Sequence, residues 1–202
     1  MKGAIAGLVL AGGRSSRMGG GDKALLPLGG TPILTRIVGI VASQVSPLAL
    51  NANGDPTRFA AVDLPVLADG IGGFEGPLAG ILTGMDWAVE QDCAYLATFP
   101  SDTPFLPTDL VQRLHAALTE AGADIAYARS GGRNHPVIGL WSATLADDLR
   151  HALIEEGIRK VGAWTARHRT VVVAFSTDPV DPFFNVNTPD NLTEAETLLS
   201  SL

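Results

Sequence analysis

The sequence predicts an α/β fold in which a mostly parallel, doubly wound sheet is covered by helices on both faces, making three layers. Three observations predict it. Short apolar runs of strand length alternate along the chain with longer segments of helical period. Polar and glycine-rich clusters fall just after the strands, where ligands bind in open parallel sheets. The 202 residues are 46% hydrophobic and 17% charged, enough to close one core within one domain, residues 1–202.

The first apolar run, residues 5–10, reads as a buried strand. Residues 3–13 carry no charge and follow Lys2, so a short secretory leader is the alternative there, but no small-x-small cleavage pattern follows, and the run is too short to span a bilayer. Residues 11–30 then form a long loop holding seven of the 23 glycines; a loop of that length in a compact domain usually has a function. Thr31 and Pro32 read as a helix cap followed by a first-turn proline, with Leu34, Ile37, Val38 and Val41 along one helical face.

A second strand ends in Leu48-Ala49-Leu50-Asn51, and Val66-Leu67 is a further apolar pair. Residues 72–77 form another loop, followed by a helix patterned on Leu78, Ile81, Leu82, Met85 and Val89. The stretch 95–99 reads as a central strand that stops at Pro100-Ser101-Asp102-Thr103-Pro104, because proline cannot donate to a ladder. A helix with Leu110, Val111, Leu114 and Leu118 comes next, then strands near 124–128 and 136–141. Helices near 145–153 and 159–167, a strand at 171–175 and a helix from Pro189, capped by Thr188, complete the pattern.

Fourteen basic against 21 acidic side chains give a net charge of −7, which argues against a general nucleic-acid binder. No segment has transmembrane length, so no membrane partner is expected. The lone Cys93 excludes an internal disulfide and any Cys-Cys zinc site, and fits a reducing cytoplasm. It reads as a buried thiol. His115, His151 and His168 lack metal spacing, and Trp87, Trp141 and Trp164 read as core or rim aromatics.

Against that acidic background, the loop Leu10-Ala11-Gly12-Gly13-Arg14-Ser15-Ser16-Arg17-Met18-Gly19-Gly20-Gly21-Asp22-Lys23 carries three cations and one acid. It matches neither of the two commonest phosphate loops. Its glycines nonetheless allow backbone N–H groups to turn inward as an anion nest, and Arg14, Arg17 and Lys23 favour a polyanion such as a nucleoside triphosphate. The plainer alternative is a solvated surface loop.

Asp102, at the exit of the central strand, suits Mg²⁺, which prefers one or two carboxylates with phosphate oxygens and water. An aspartate ahead of Pro104 also serves as an ordinary turn or capping acid. The loop opposite favours the metal reading, because triphosphate chemistry calls for neutralisation of developing charge. Asn51, Asn53 and Asp69 likewise follow strands, so four loops converge on one crevice.

With these residues on the page, the sequence resembles the molybdenum cofactor guanylyltransferases, within the broader nucleotidyltransferases that open with Leu-Ala-Gly-Gly. The resemblance runs the length of the chain. It is carried by residues 10–23, Asn51-Ala52-Asn53, Asp69, Gly76-Pro77-Leu78-Ala79-Gly80, Ser101-Asp102-Thr103-Pro104, His135-Pro136 and Asn185-Val186-Asn187-Thr188-Pro189. It implies a Rossmann-like nucleotidyltransferase fold and transfer of GMP from GTP to the phosphate of molybdopterin, usually carrying molybdenum. The products are the guanine dinucleotide cofactor and pyrophosphate.

By the same resemblance Leu10, Ala11, Gly12, Gly13, Lys23, Asn51 and Asp69 contact GTP, and Asp102 serves both GTP and Mg²⁺. His135, Asn185 and Asn187 fall on the pterin side, so the N-terminal part holds nucleotide and metal and the C-terminal part molybdopterin. Arg17 and Lys23 would stabilise the departing pyrophosphate. For His135, an ordinary strand-entry role is the alternative.

The opening Leu10-Ala11-Gly12-Gly13 favours GTP over CTP, whose enzymes typically carry Leu-Ala-Ala-Gly. A CTP-dependent cytidylyltransferase, a sugar-phosphate nucleotidyltransferase and a non-catalytic nucleotide-binding partner are the other readings. A monomer is expected. Because the substrate is unstable and oxygen-sensitive, partners among the cofactor-biosynthesis proteins and molybdoenzyme chaperones are expected too.

Overall fold

The computed structural model describes residues 4–12, 22–72 and 76–202. In chain order the elements are β1 (Ile5–Leu10), β2 (Pro27–Leu28), β3 (Thr31–Pro32), α1 (Ile33–Val41), β4 (Leu48–Asn51), β5 (Val66–Leu67), α2 (Pro77–Glu90) and β6 (Tyr95–Pro100). There follow α3 (Leu110–Ala121), β7 (Ile125–Ser130), β8 (Arg133–Ser142), α4 (Ala146–Ile154), α5 (Val161–Thr165), β9 (Thr170–Ala174) and α6 (Pro189–Ser200).

The main sheet runs β5-β4-β1-β6-β8-β7-β9. Strands β5, β4, β1 and β6 are parallel to one another, as are β7 and β9, while β8 is antiparallel to both its neighbours. The predicted mostly parallel, helix-covered sheet is therefore present, with β7 and β8 as an antiparallel hairpin. Its turn is Gly131-Gly132, both at positive φ (51° and 79°), the region that a two-residue hairpin turn of the primed kind requires and glycine tolerates.

Central strands send alternate side chains to two cores. From β1 and β6, Val9, Ala97 and Phe99 join one core with α1, α3 and α6 residues such as Leu34, Ile37, Leu114 and Ala195. Leu8 and Leu96 join the other, with α2, α4 and α5 residues such as Leu82, Met85, Leu149 and Trp164. In the second core Trp141 and Trp164 are fully buried and stack with ring centroids 5.9 Å apart. The Trp141 indole donates to Thr98 Oγ1 (2.8 Å), which donates to the Val137 carbonyl (2.6 Å), so the buried polar atoms there are paired.

Several local expectations change. Thr31 does not cap α1: it pairs with Leu28 in a small hairpin, Pro32 precedes the helix without a side-chain cap, and the helix starts at Ile33. Residues 23–30, expected within the long loop, hold a 3-10 turn at Lys23–Leu25 and the first strand of that hairpin. The helix near 159–167 shortens to α5, and a 3-10 segment, Pro56–Val62, appears where none was expected.

Val89 does not face the core; it is 56% exposed. The buried stripe of α2 instead includes Gly80, Gly84 and Ala88, and a Cβ at Gly84 would press on Leu8 and Leu96. Small residues four apart let strand side chains pack directly against the helix backbone, a contact that a search for large apolar residues overlooks. Cys93 is buried, His115 sits edge-on to Tyr95 and His168 edge-on to Trp164, in keeping with packing roles.

Candidate active site

Hydrogen bonds continue the parallel ladder one residue past the strand ends. The Ala11 N–H donates to the Asn51 carbonyl (2.8 Å), Ala52 N–H to Leu67 (3.0 Å) and Ser101 N–H to Leu10 (3.0 Å). These bonds pin the starts of the loops that follow β1, β4, β5 and β6, so Gly12, Asn51, Asp69 and Asp102 emerge along one edge of the sheet.

At one end of the edge lies an interlocked set. Asn51, 3% exposed, donates from Nδ2 to Asp69 Oδ1 (2.9 Å) and to the Leu67 carbonyl (3.1 Å). Asn53 Nδ2 donates to Asp69 Oδ2 (2.7 Å), and its Oδ1 accepts the Asp69 N–H (2.9 Å). Both oxygens of the Asp69 carboxylate are thus engaged by neutral amides. Gly12 lies beside the Asn51 amide, where a Cβ would make an ordinary contact with Oδ1, whereas a Cβ on Gly80 of α2 would run into that amide. Arg58 completes this end, with an ion pair to Asp22 (2.8 Å) and a bond to the Asn53 carbonyl (2.7 Å).

At the other end Lys23 Nζ donates to Asp102 Oδ2 (2.5 Å) and to Asn187 Oδ1 (2.6 Å). Asp102 Oδ1 accepts from Asn185 Nδ2 (3.0 Å), and the Asp102 carbonyl accepts the Val186 N–H (2.8 Å). The Lys23 and Asp102 side chains are 20% and 14% exposed, so the pair is sheltered without being sealed from the crevice. The segment that brings the asparagines is irregular yet anchored: Val186 is fully buried, and Phe183, 2% exposed, meets Phe175 edge-on at 5.2 Å.

His135 lies on β8 opposite Ala128, with its ring 5.0 Å from that of Phe183. Burial is the main cause that pushes its pKa below the ordinary imidazole value of 6.5; Asp181 opposes this in part and Arg133 adds to it.

The structure therefore brings Lys23, Asp102, Asn185 and Asn187 into direct contact, and Leu10, Ala11, Gly12, Asn51 and Asp69 into a second cluster on the same edge. The N-terminal and C-terminal halves expected to serve different substrates meet at Asp102. Gly13, Arg14 and Arg17 lie outside the described residues. Arg58 was not foreseen: it follows a loop and sits in a 3-10 turn, with no periodicity to mark it. Asn53, expected beside Asn51 at the strand exit, proves to supply half of the Asp69 clamp.

A cavity of about 370 Å³ lies at the opposite end of the sheet, against Ile5, Gln44, Val111 and His115. Gln44 there is already bonded to Ile40, Pro107 and Val111, so its polarity serves packing. The chemistry-bearing groups are at the crevice.

Comparison with known proteins agrees with that geometry. Residues 7–171 match the family described as MobA-like NTP transferase domain. A molybdenum cofactor guanylyltransferase of Rhodopseudomonas palustris is 53% identical over 193 residues, 95% of this chain and 90% of that one. Molybdopterin-guanine dinucleotide biosynthesis protein A from Archaeoglobus fulgidus superposes with a TM-score of 0.75 at 23% identity, over 98% of this chain and 100% of that one. The Anaerococcus prevotii enzyme named 4-diphosphocytidyl-2C-methyl-D-erythritol synthase gives 0.77 at 12% identity, over 98% and 97% of the two chains. Proteins named for different products share this fold about equally well, so the fold leaves the substrate open and sequence similarity decides the group. On that similarity the chain belongs to the MobA-like NTP transferase domain family, among the molybdenum cofactor guanylyltransferases.

Proposed function

We propose that this chain transfers GMP from GTP to the phosphate of molybdopterin, giving the guanine dinucleotide cofactor and pyrophosphate. The observation that carries the reading is the Lys23 ammonium held between Asp102 and Asn187, which joins three sequence-distant motifs at one point of a crevice. The family of the sequence relatives supplies the nucleotide and the acceptor.

In this reading an oxygen of the molybdopterin phosphate attacks the α-phosphorus of GTP. The new P–O bond forms as the bond to the β-phosphate oxygen breaks and pyrophosphate leaves. The acceptor phosphate is already ionised at neutral pH, so no general base is needed. The work of the protein is alignment and charge.

Asn51 and Asp69 with residues 10–13 hold the nucleotide. Lys23 exchanges its bond to Asp102 for phosphate oxygens, and with Arg17 steadies the departing pyrophosphate. His135, Asn185 and Asn187 face the acceptor.

Asp102 is the residue that would hold Mg²⁺. Among the described residues no group of three or more His, Cys, Asp or Glu side chains is placed to hold a metal, so in this reading a cation at Asp102 draws its further ligands chiefly from phosphate and water. That donor set suits Mg²⁺, and the carboxylate already receives a cation, the Lys23 ammonium. Bound there, the metal would neutralise charge on the triphosphate. Among the described residues no helix is long and apolar enough to cross a membrane, and substrates are expected from the cytoplasm.

The test is product formation from molybdopterin with Mg²⁺ and GTP, CTP or ATP in turn. A guanine dinucleotide made with GTP alone is expected. Equal use of CTP would overturn the nucleotide assignment; GTP binding with no transfer would overturn the acceptor and direct attention to sugar phosphates.

A further inference from the structure

His135 makes a contact that the transfer reaction, as described so far, does not use. Its Nε2 lies 2.9 Å from Ser130 Oγ, across the β7–β8 hairpin. Ser130 Oγ in turn donates to Asp181 Oδ1 at 2.7 Å, and the same carboxylate oxygen accepts the Phe183 N–H at 3.0 Å. Ser130 is 3% exposed, so its hydroxyl sits in a fixed setting with these two partners.

Counting protons fixes the histidine. A carboxylate can only accept, and a hydroxyl has one hydrogen to give. With that hydrogen on Asp181, Ser130 meets His135 through a lone pair, so Nε2 must carry the N–H. In the neutral ring Nδ1 is then bare, an acceptor and not a donor. Burial favours the neutral ring, which is the state this arrangement exploits.

We infer that Ser130 and Asp181 are positioning residues that hold His135 in the Nε2–H tautomer, so that its Nδ1 receives an N–H or O–H donor of the acceptor substrate. The inference rests on the placement of His135 at the acceptor side under the proposed function, and it adds which chemistry is met there. A bare Nδ1 repels a phosphate, which has only lone pairs to offer. It suits a heterocycle rich in N–H groups, as the pterin ring system is. The phosphate end of the same molecule is left to Lys23, Asn185 and Asn187. Asp181 and Asn185 belong to one short segment, so a single stretch of backbone sets the distance between the two recognition points.

The experiment uses the full-length protein labelled with ¹⁵N-histidine, with the His135 signals assigned from the His135→Gln variant. Molybdopterin affinity is read by anaerobic titration calorimetry and GTP affinity is measured beside it. The wild-type ring should show one tautomer, protonated at Nε2. Ser130→Ala should mix the tautomers and weaken molybdopterin binding about 2- to 10-fold, with GTP affinity unchanged. Ser130→Thr, which keeps the hydroxyl, should restore both.

An Nδ1–H ring in the wild type overturns the inference, and so does unchanged molybdopterin affinity in Ser130→Ala. If His135→Gln binds molybdopterin normally while the wild-type ring is locked as described, the placement of His135 is wrong and the inference falls with it. Neither readout needs turnover, so a failure of GMP transfer counts against the guanylyltransferase reading alone.

Discussion

Asn51 and Asn53 reach Asp69 across 18 and 16 residues of sequence, whereas Lys23 reaches Asp102 across 79 and Asn187 across 164. The first set comes from the ends of two adjacent parallel strands, β4 and β5, and forms wherever those strands pair. The second needs the opening loop, the central strand and the C-terminal segment together. Their electrostatics differ as well. Asp69 is satisfied by neutral amides, a fixed surface with nothing to exchange. Asp102 has one oxygen on the Asn185 amide and the other on an ammonium ion, and an ammonium can be traded for a metal while it turns to phosphate. A fixed end suits recognition; an exchangeable end suits nucleotidyl transfer.

The largest effect should come from the exchangeable end. Asp102→Ala removes the carboxylate on which Lys23 and Asn185 converge, yet leaves Asn51, Asn53 and Asp69 untouched. The rate of GMP transfer should fall on the order of 10²–10³-fold while GTP still binds. Single-turnover assays on the folded variant check it, and near-normal product formation would remove Asp102 from the chemistry. Lys23→Ala should come next, weakening GTP binding about 10- to 100-fold, as expected for a lost charge-assisted contact, with a smaller change in unfolding midpoint. Unchanged GTP affinity by titration calorimetry would show that Lys23 stays on Asp102 throughout.

The same contrast explains what the sequence revealed. Asn51, Asp69 and Asp102 were legible because each directly follows an apolar strand, and the carboxyl edge of a parallel sheet is where such residues meet. Asn185 and Asn187 lie in a segment without periodicity, and only the family resemblance marked them; no spacing rule predicts that residue 187 returns to residue 23. Arg58 carried no signal at all. In the scaffold, large apolar residues announced α2, but the Gly80, Gly84 and Ala88 stripe that sets its depth was missed, because small residues look neutral in a search for hydrophobic faces. Hydrophobic pattern marks β7 and β8 as two strands but not the Gly131-Gly132 turn that pairs them, so the Ser130–His135 contact is invisible in the sequence.

The missed stripe allows the fixed end to be broken alone. Gly80→Ala places a methyl group against the Asn51 amide, so Asn51 must shift from Asp69 and from the Leu67 carbonyl. Overpacking of this kind costs about 1–3 kcal/mol of stability, visible as a lower denaturant midpoint. GTP affinity should fall while the response to Mg²⁺ is retained. If GTP binding is unaffected although the midpoint drops, the Asn51 cluster is scaffold and not recognition surface.

Asn53→Ala is the mildest probe and the sharpest for the comparison. Asp69 loses one of its two amide partners and its backbone N–H loses the Asn53 Oδ1 acceptor, but Asn51 still holds Oδ1 of the carboxylate. Because Asn53 is exposed, water can replace part of what is lost, and the cost should stay near the lower end of a hydrogen bond, about 0.5–1.5 kcal/mol. If that clamp is what presents Asp69 to the nucleotide, GTP affinity should drop about 2- to 10-fold with the maximal transfer rate held, because nothing at Asp102 has moved. A fall in maximal rate at saturating GTP would instead mean that the two ends are coupled through the sheet edge, and that the division between a fixed and an exchangeable end does not hold.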